Sequence, residues 1–131
     1  MLAGYSGKPL FEKLGVKPGM TALFIEAPEE IVEPWRSDLG LQSDADPLDF
    51  TMIFAVEKAI LDSHLRAVRP RLRSNGMIWA AWPKKASKVP TTITEDAIRE
   101  LAFPLGLVDV KVCAVSEVWS GLKLVIRLTE R

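Results

Sequence analysis

Apolar and polar residues alternate along the chain in blocks that are typical of an α/β protein. Three continuous apolar runs predict buried strands, at Thr21–Ala27, Phe50–Val56 and Met77–Trp82. Two later runs, Val108–Val115 and Leu122–Leu128, predict a C-terminal pair of strands. In the last run the apolar positions alternate with Lys123 and Arg127, which predicts one covered face and one wetter face.

Helical periodicity lies between these runs. One set of apolar residues repeats at intervals of four, three and four and predicts a helical face packed on a sheet: Leu61, Leu65, Val68 and Leu72. Asn75-Gly76 predicts a turn between this helix and the third strand. Thr94, which Glu95 and Asp96 follow, predicts the start of a later helix.

The N-terminal half contains shorter elements. Pro28, directly after the first strand, predicts a helix start, and Pro34 predicts that this helix is short or kinked. The polar segment 37–48 predicts turns, with one very short strand near Leu41. Residues 1–19 predict an N-terminal arm with a short helix that packs on the sheet.

Composition narrows the function classes. A chain of 131 residues predicts a single domain, residues 1–131. Lys plus Arg and Asp plus Glu both number 17, and this balance argues against a dedicated nucleic-acid or membrane-surface protein. Cys113 and His64 are single residues of their type, so no disulfide framework and no metal site is expected. We see no signal peptide and no membrane-length apolar run, and we expect a cytoplasmic protein.

Several motifs carry a family resemblance. The segments KPGM at 17–20, LRSNG at 72–76 and LGLVDV at 105–110 resemble the class I methyltransferases. Three longer segments resemble an uncharacterised bacterial family that is known only as a domain of unknown function: GYSGKPLFEKLGVKPGM, WPKKASKVPTTITED and DVKVCAVSEVWSGLKLVIR. This resemblance covers nearly the whole chain and implies a methyltransferase-like Rossmann fold without an assigned activity.

The chain departs from the methyltransferase pattern after its first strand. Methyltransferases place a glycine-rich cofactor loop there, whereas this chain continues as IEAPEE at 25–30, without a glycine. Proline lacks a backbone donor, and Glu29 and Glu30 would repel a phosphate or carboxylate at the helix start. Glu26 could contact an amine. If the chain is a non-catalytic binding module, we therefore expect no cofactor. If it is instead a divergent methyltransferase, the expected cofactor is S-adenosylmethionine.

The fold class predicted is α/β, a shortened Rossmann-like, methyltransferase-like sheet of about five strands. It is mostly parallel, with a C-terminal antiparallel hairpin strand inserted beside the third strand. Right-handed crossovers would put most helices on one face. Either residues 1–19 or a second subunit would then cover the other face, so a homodimer is an open alternative.

Ligands of open α/β sheets bind beyond the carboxyl ends of the strands. Four pieces are expected to meet at that edge: Glu26–Glu30, Glu57, Trp82–Lys88 and Trp119–Gly121. The candidate binding residues among them are Glu26, Trp82, Lys84, Lys85, Ser87, Lys88, Trp119 and Ser120. The lysines and the hydroxyl could hold a phosphate or carboxylate, with a tryptophan stacking on a base. The alternatives are a solvated loop with Trp82 in the core, and Trp119 as a structural plug.

No catalytic residue is assigned. The serines have no histidine near them in sequence, so a Ser-His-Asp hydrolase is not expected, and His64 is interpreted as a surface residue. Four arginines lie near the C-terminal end of one helix: Arg66, Arg69, Arg71 and Arg73. Cations at a helix C-terminus are stabilising, and this is the preferred interpretation. The alternative is that they form a basic patch that binds nucleic acid.

The sequence favours a non-catalytic module that binds a small anionic ligand or a partner protein. The alternative is a divergent S-adenosylmethionine-dependent methyltransferase, and a weak nucleic-acid binder ranks third.

Overall fold

The computed structural model describes residues 9–43 and 45–131. These residues form a six-stranded sheet with α-helices on both faces. The strands are β1 Thr21–Ile25, β2 Gln42–Ser43, β3 Leu48–Phe54, β4 Leu72–Pro83, β5 Leu107–Ala114 and β6 Trp119–Ile126. The helices are α1 Leu10–Leu14, α2 Glu29–Leu39, α3 Lys58–Val68 and α4 Glu95–Ala102.

The strand order is β2-β1-β3-β4-β6-β5. The first four strands of this order are mutually parallel, and β6 runs antiparallel to both β4 and β5. The three long N-terminal strands are adjacent and the last strand lies beside β4, as the sequence predicts. The very short strand expected near Leu41 is β2, at the edge of the sheet. The predicted α/β fold class is confirmed.

Helices α3 and α4 cover one face of the sheet. The periodic leucines Leu61 and Leu65 are buried there against Ile53 and Ile78 of the central strands. Thr94 begins α4 as predicted, because its Oγ1 accepts a hydrogen bond from the Ala97 backbone N–H at 3.1 Å. The apolar spacing therefore identified this layer correctly.

Helices α1 and α2 cover the opposite face, where Trp35 of α2 and Leu14 of α1 pack in one cluster with Trp79. The expectation that most helices share one face is wrong. The crossover from β1 through α2 leads to β2 on the outer side of β1, whereas α3 connects β3 to β4 in the other direction. Right-handed connections in opposite directions place their helices on opposite faces. Of the predicted N-terminal arm, residues 1–8 lie outside the described residues.

Asn75-Gly76 is not a turn between elements but lies inside β4. The pairing of β3 with β4 is irregular between Leu48, which pairs with Leu72, and Phe50, which pairs with Met77. A Cβ on Gly76 would approach the Leu48 carbonyl oxygen to 2.9 Å. Glycine is required here because another strand passes so closely, and the irregularity lets β4 begin five residues before Met77.

Two other boundaries differ from the expectation. Helix α2 continues through Pro34 for 11 residues, so this proline does not end it. Strand β6 ends at Ile126, and Leu128 is 79% exposed instead of continuing the covered face. Leu122, Leu124 and Ile126 are buried as the alternation predicts.

Candidate functional site

The direction of the chain reverses between β1 and β3. From β1 the chain moves through α2 to β2 on one side, and from β3 it moves through α3 to β4 on the other. The carboxyl ends of these two parallel strands therefore flank a crevice with no helix connection across it. In open α/β sheets such a switch point is where ligands bind.

A pocket of about 320 Å³ opens at this crevice, and we call it the first pocket. This volume lies at the small end of the range for ligand sites, which is roughly 300–1,000 Å³. Its walls come from four segments: Glu26 after β1, residues 54–57 at the end of β3, Ile60 and His64 of α3, and Trp119 at the start of β6.

Glu26 has a backbone φ of +55°, in the left-handed region that glycine adopts most readily. Among the described residues, Glu26 and Lys88 are the non-glycine positions with positive φ. The turn after β1 thus adopts at Glu26 a conformation usually given to glycine, while it adds a carboxylate to the pocket. Strained backbone of this kind tends to occur at functional sites, so Glu26 is a site candidate on geometric grounds.

Trp119 forms an aromatic wall. Its ring meets Phe54 edge to face, with centroids 5.0 Å apart and planes at 84°. The turn before it is fixed because Ser116 Oγ accepts hydrogen bonds from the backbone N–H groups of Val118 and Trp119, at 3.2 and 3.1 Å. The ring is half-buried, so it packs against the core and also borders the pocket.

The first pocket is acidic. Glu26 and Glu57 are exposed carboxylates in its wall, and His64 adds an imidazole ring to the lining. Lys58, next to Glu57, is directed elsewhere, because its Nζ donates to Glu100 at 3.0 Å. Two carboxylates beside an aromatic ring are suited to a positively charged ligand and would repel a phosphate.

A second pocket, of about 670 Å³, lies beyond the end of β4. Its lining includes Trp82 and Ile93, which are buried and which we call its floor, and the exposed lysines Lys85 and Lys88. The start of α4 at Glu95 also lines it. The single site expected from the sequence is thus divided between two pockets of different chemistry.

The predicted binding residues divide accordingly. Glu26 and Trp119 line the first pocket, and Trp82, Lys85 and Lys88 line the second. The other three line neither of these pockets: Lys84, Ser87 and Ser120.

The positions of these three residues have structural causes. The backbone N–H of Lys84 donates to Val118 at 2.8 Å, which anchors Lys84 to the turn before β6. Ser87 Oγ donates to the Lys84 carbonyl at 2.6 Å and accepts from Val89 N–H, so it stabilises its own turn. Ser120 pairs with Trp82 inside the sheet.

His64 and Ile60 line the first pocket, although the sequence interpretation left His64 on the surface. The structure places His64 half-buried in the wall. The available signal is the spacing of these two residues, four apart on a helix that starts at the carboxyl edge of β3.

The four clustered arginines are engaged within the protein. Arg66, Arg71 and Arg73 donate to aspartates, Asp62, Asp46 and Asp49 respectively, at 3.1, 2.7 and 2.6 Å. Arg69 donates to the Leu105 carbonyl at 2.7 Å. These contacts support the stabilising interpretation of the cluster, and nucleic-acid binding stays an untested prediction.

No protein-family model and no curated protein matches the chain. Solved structures match its fold. An S-adenosylmethionine-dependent methyltransferase from Aquifex aeolicus aligns with a TM-score of 0.65 at 12% identity, over 88% of this chain and 86% of that one. Precorrin-6y C5,15-methyltransferase from Geobacter metallireducens aligns with a TM-score of 0.63 at 13% identity, over 89% and 85%. The chain has a methyltransferase-like Rossmann fold.

A third neighbour was solved with S-adenosylhomocysteine bound. It is magnesium protoporphyrin IX methyltransferase from Synechocystis, with a TM-score of 0.58 at 9% identity, over 89% of this chain and 78% of that one. At these identities the likeness establishes the fold alone. The sequence resemblance to one uncharacterised bacterial family stays a prediction.

Within the described ranges, every helix is too short or too polar to cross a membrane. The same residues contain no cluster of His, Cys, Asp and Glu that could hold a metal ion.

Proposed function

We propose that the first pocket binds S-adenosylmethionine and that the chain is a divergent methyltransferase. The observation that carries this proposal is the acidic, aromatic pocket at the β1–β3 crevice. It occurs at the switch point where open α/β sheets bind ligands, in a fold whose solved neighbours include S-adenosylmethionine-dependent methyltransferases.

The charge of the pocket favours this ligand over other nucleotides. S-adenosylmethionine carries a sulfonium, an ammonium and one carboxylate group and has a net positive charge, whereas dinucleotide cofactors carry phosphates and have a net negative charge. Glu26 and Glu57 attract the two cations, and the aromatic ring of Trp119 in the same lining adds a cation–π attraction. The first turn of α2 contains Glu29 and Glu30, which disfavour a phosphate at this edge of the sheet.

The residues of the pocket have distinct roles in this proposal. When bound, S-adenosylmethionine supplies an electrophilic methyl group. Glu26 and Glu57 hold its positive charges, and Trp119 with Phe54 forms the apolar wall that limits access of water. His64 lines the same wall, and histidine can accept a proton near neutral pH, so His64 is the candidate base for an acceptor.

Isothermal titration calorimetry with S-adenosylmethionine tests the proposal. Glu26→Gln and Glu57→Gln each remove one negative charge, and we expect Kd to rise about fivefold for each, or about 1 kcal/mol. Glu117→Gln is the matched control, since this exposed carboxylate lies two residues before Trp119 but outside the pocket. Absence of binding at about 1 mM ligand would contradict the proposal.

A second candidate function is a non-catalytic module that binds a small anion or a partner protein. The second pocket favours it, because Lys85 and Lys88 line a concavity at the end of β4. A thermal-shift panel separates the two candidates. Stabilisation by phenyl phosphate without stabilisation by S-adenosylmethionine would favour the non-catalytic module.

A further inference from the structure

The second pocket combines an apolar floor with a basic side. Trp82 and Ile93 are only 8% and 2% exposed, so the floor is fixed by the core beneath it. Trp82 is held in the sheet opposite Ser120, which limits its movement. The pocket is about twice the volume of the first one, at about 670 Å³ against about 320 Å³. It can therefore accept a flat apolar group.

The positive charge of this pocket is available to a ligand. The ammonium groups of Lys85 and Lys88 form no ion pair within residues 9–43 and 45–131. One carboxylate, Glu95, also lines the pocket, and it shares Arg99 with Asp96 and Asp109, at 3.3 Å from Arg99 Nη2. The lining thus contains two lysines without an ion pair in the described residues and one carboxylate that has a partner.

Lys88 reaches the pocket from a strained backbone. Its φ is +62°, at the end of the 3₁₀ turn Lys85–Ser87. Lysine is disfavoured in this conformation, and glycine would adopt it more readily. The two residues with this strain in the described chain, Glu26 and Lys88, line the two different pockets.

The pocket's hydroxyl groups are already used. Thr91 Oγ1 donates to the Val56 carbonyl at 2.7 Å and accepts from Ile93 N–H at 3.1 Å. Thr94 Oγ1 caps α4. Recognition of a charged group is therefore left to the two lysines, since Glu95 and Asp96 already occupy the first turn of α4.

We propose that the second pocket is a separate binding site for a small organic anion, a phosphate or carboxylate that carries a flat apolar ring. Lys85 and Lys88 bind the anionic group, and Trp82 with Ile93 contacts the ring. The two pockets share no lining residue and have opposite charge, so this site does not depend on binding of S-adenosylmethionine.

A titration followed by ¹H–¹⁵N NMR of the full chain tests this proposal with phenyl phosphate, phenol and inorganic phosphate as probes. Phenyl phosphate should shift the signals of Lys85, Lys88 and the Trp82 indole N–H, and should bind more tightly than either other probe. The double variant Lys85→Gln/Lys88→Gln should weaken binding at least about tenfold.

Two further variants sharpen the test. Lys84→Gln is the control, because Lys84 is adjacent in sequence but does not line the pocket, and it should bind phenyl phosphate like the wild type. Lys88→Gly removes the ammonium group and relieves the positive φ, so it should fold normally and still lose affinity.

Three results would overturn the proposal. These are unchanged binding in the double variant, equal loss in Lys84→Gln, or no shift at these three residues up to about 10 mM phenyl phosphate. Inorganic phosphate binding as tightly as phenyl phosphate would remove the role of the Trp82 floor. Each result is independent of the calorimetry with S-adenosylmethionine, since that ligand is assigned to other residues.

Discussion

The indole Nε1 of Trp79 donates a hydrogen bond to the backbone carbonyl of Leu14, with a buried N···O distance of 2.8 Å. Both residues are fully buried, in the layer formed by α1 and α2. The bond connects the end of the short helix α1 to the centre of β4. A helix of five residues has little stability by itself, so this contact and the burial of Leu14 hold it on the sheet.

Trp79→Phe should therefore lower the free energy of unfolding by about 2–3 kcal/mol, because the smaller ring leaves a cavity and the Leu14 carbonyl loses its partner. Trp82→Phe is the control, since Trp82 borders a pocket and its indole forms no hydrogen bond within the described residues. The Trp82→Phe substitution should lower the free energy of unfolding by less than Trp79→Phe does. Urea denaturation measures both, and equal losses would contradict the role given to the Trp79–Leu14 bond.

Thr51→Val should increase stability by about 1 kcal/mol. Thr51 is fully buried in β3, and its Oγ1 has no hydrogen-bond partner in the part of the chain that the structure describes, so the hydroxyl carries a desolvation cost without compensation. Thr91→Val makes the same chemical change where the hydroxyl bonds to Val56 and Ile93, and it should be destabilising by a similar amount. Thermal unfolding of both variants gives the comparison. A loss of stability in Thr51→Val would be the contrary result.

The positive φ of Glu26 leads to a prediction that can be tested without any ligand. Glu26→Gly should leave the free energy of unfolding within about 0.5 kcal/mol, whereas Glu26→Val should lower it by about 1–2 kcal/mol, because a β-branched residue is strained at positive φ. Chemical denaturation distinguishes the two. If both variants are equally stable, the left-handed turn after β1 is not present in solution.

Lys123 makes the free energy of unfolding depend on pH in the alkaline range. Burial first, and the neighbouring Lys111 second, lower the pKa of Lys123 below its usual value of 10.5. The unfolded chain then binds more protons than the folded one between the two pKa values, so this residue lowers stability at neutral pH and the penalty disappears as pH rises toward 10.5.

Lys123→Met should therefore raise the melting temperature at pH 7, and the gain should shrink as pH approaches the pKa of a free lysine. Differential scanning calorimetry across this range measures the gain. Lys17→Met is the control, because Lys17 is exposed. A gain for Lys123→Met that stays constant with pH would contradict the lowered pKa.

Much of the fold could be predicted from apolar spacing. Apolar residues recur every second residue in a half-buried strand and every three to four residues on the buried face of a helix. These spacings identify the long strands and the buried faces of α3 and α4, because they depend only on which side chains are buried. The side of the sheet covered by α2 could not be predicted, because it depends on β2, a two-residue strand with almost no pattern of its own. The role of Gly76 could not be predicted either, because a glycine in the sequence is equally consistent with a turn and with a strand that passes close to another strand.

The candidate site was predicted only in part. The segments after β1, β4 and β5 meet at one edge, as parallel topology requires, and so Glu26, Trp82 and Trp119 were identified. The division into two pockets depends on how α3 is rotated and where the loop before α4 returns. These are properties of packing, and they bring in His64 and Thr91, neither of which the sequence analysis assigned to a site.

The most direct test of the first pocket compares S-adenosylmethionine with S-adenosylhomocysteine, which lacks the methyl group and the sulfonium charge. If Glu26 and Glu57 bind the positive charge, calorimetry should give a Kd for S-adenosylmethionine about fivefold lower than that for S-adenosylhomocysteine. The double variant Glu26→Gln/Glu57→Gln should abolish that difference. Equal affinity for both ligands in the wild type, or an unchanged difference in the double variant, would contradict the proposed function of this pocket.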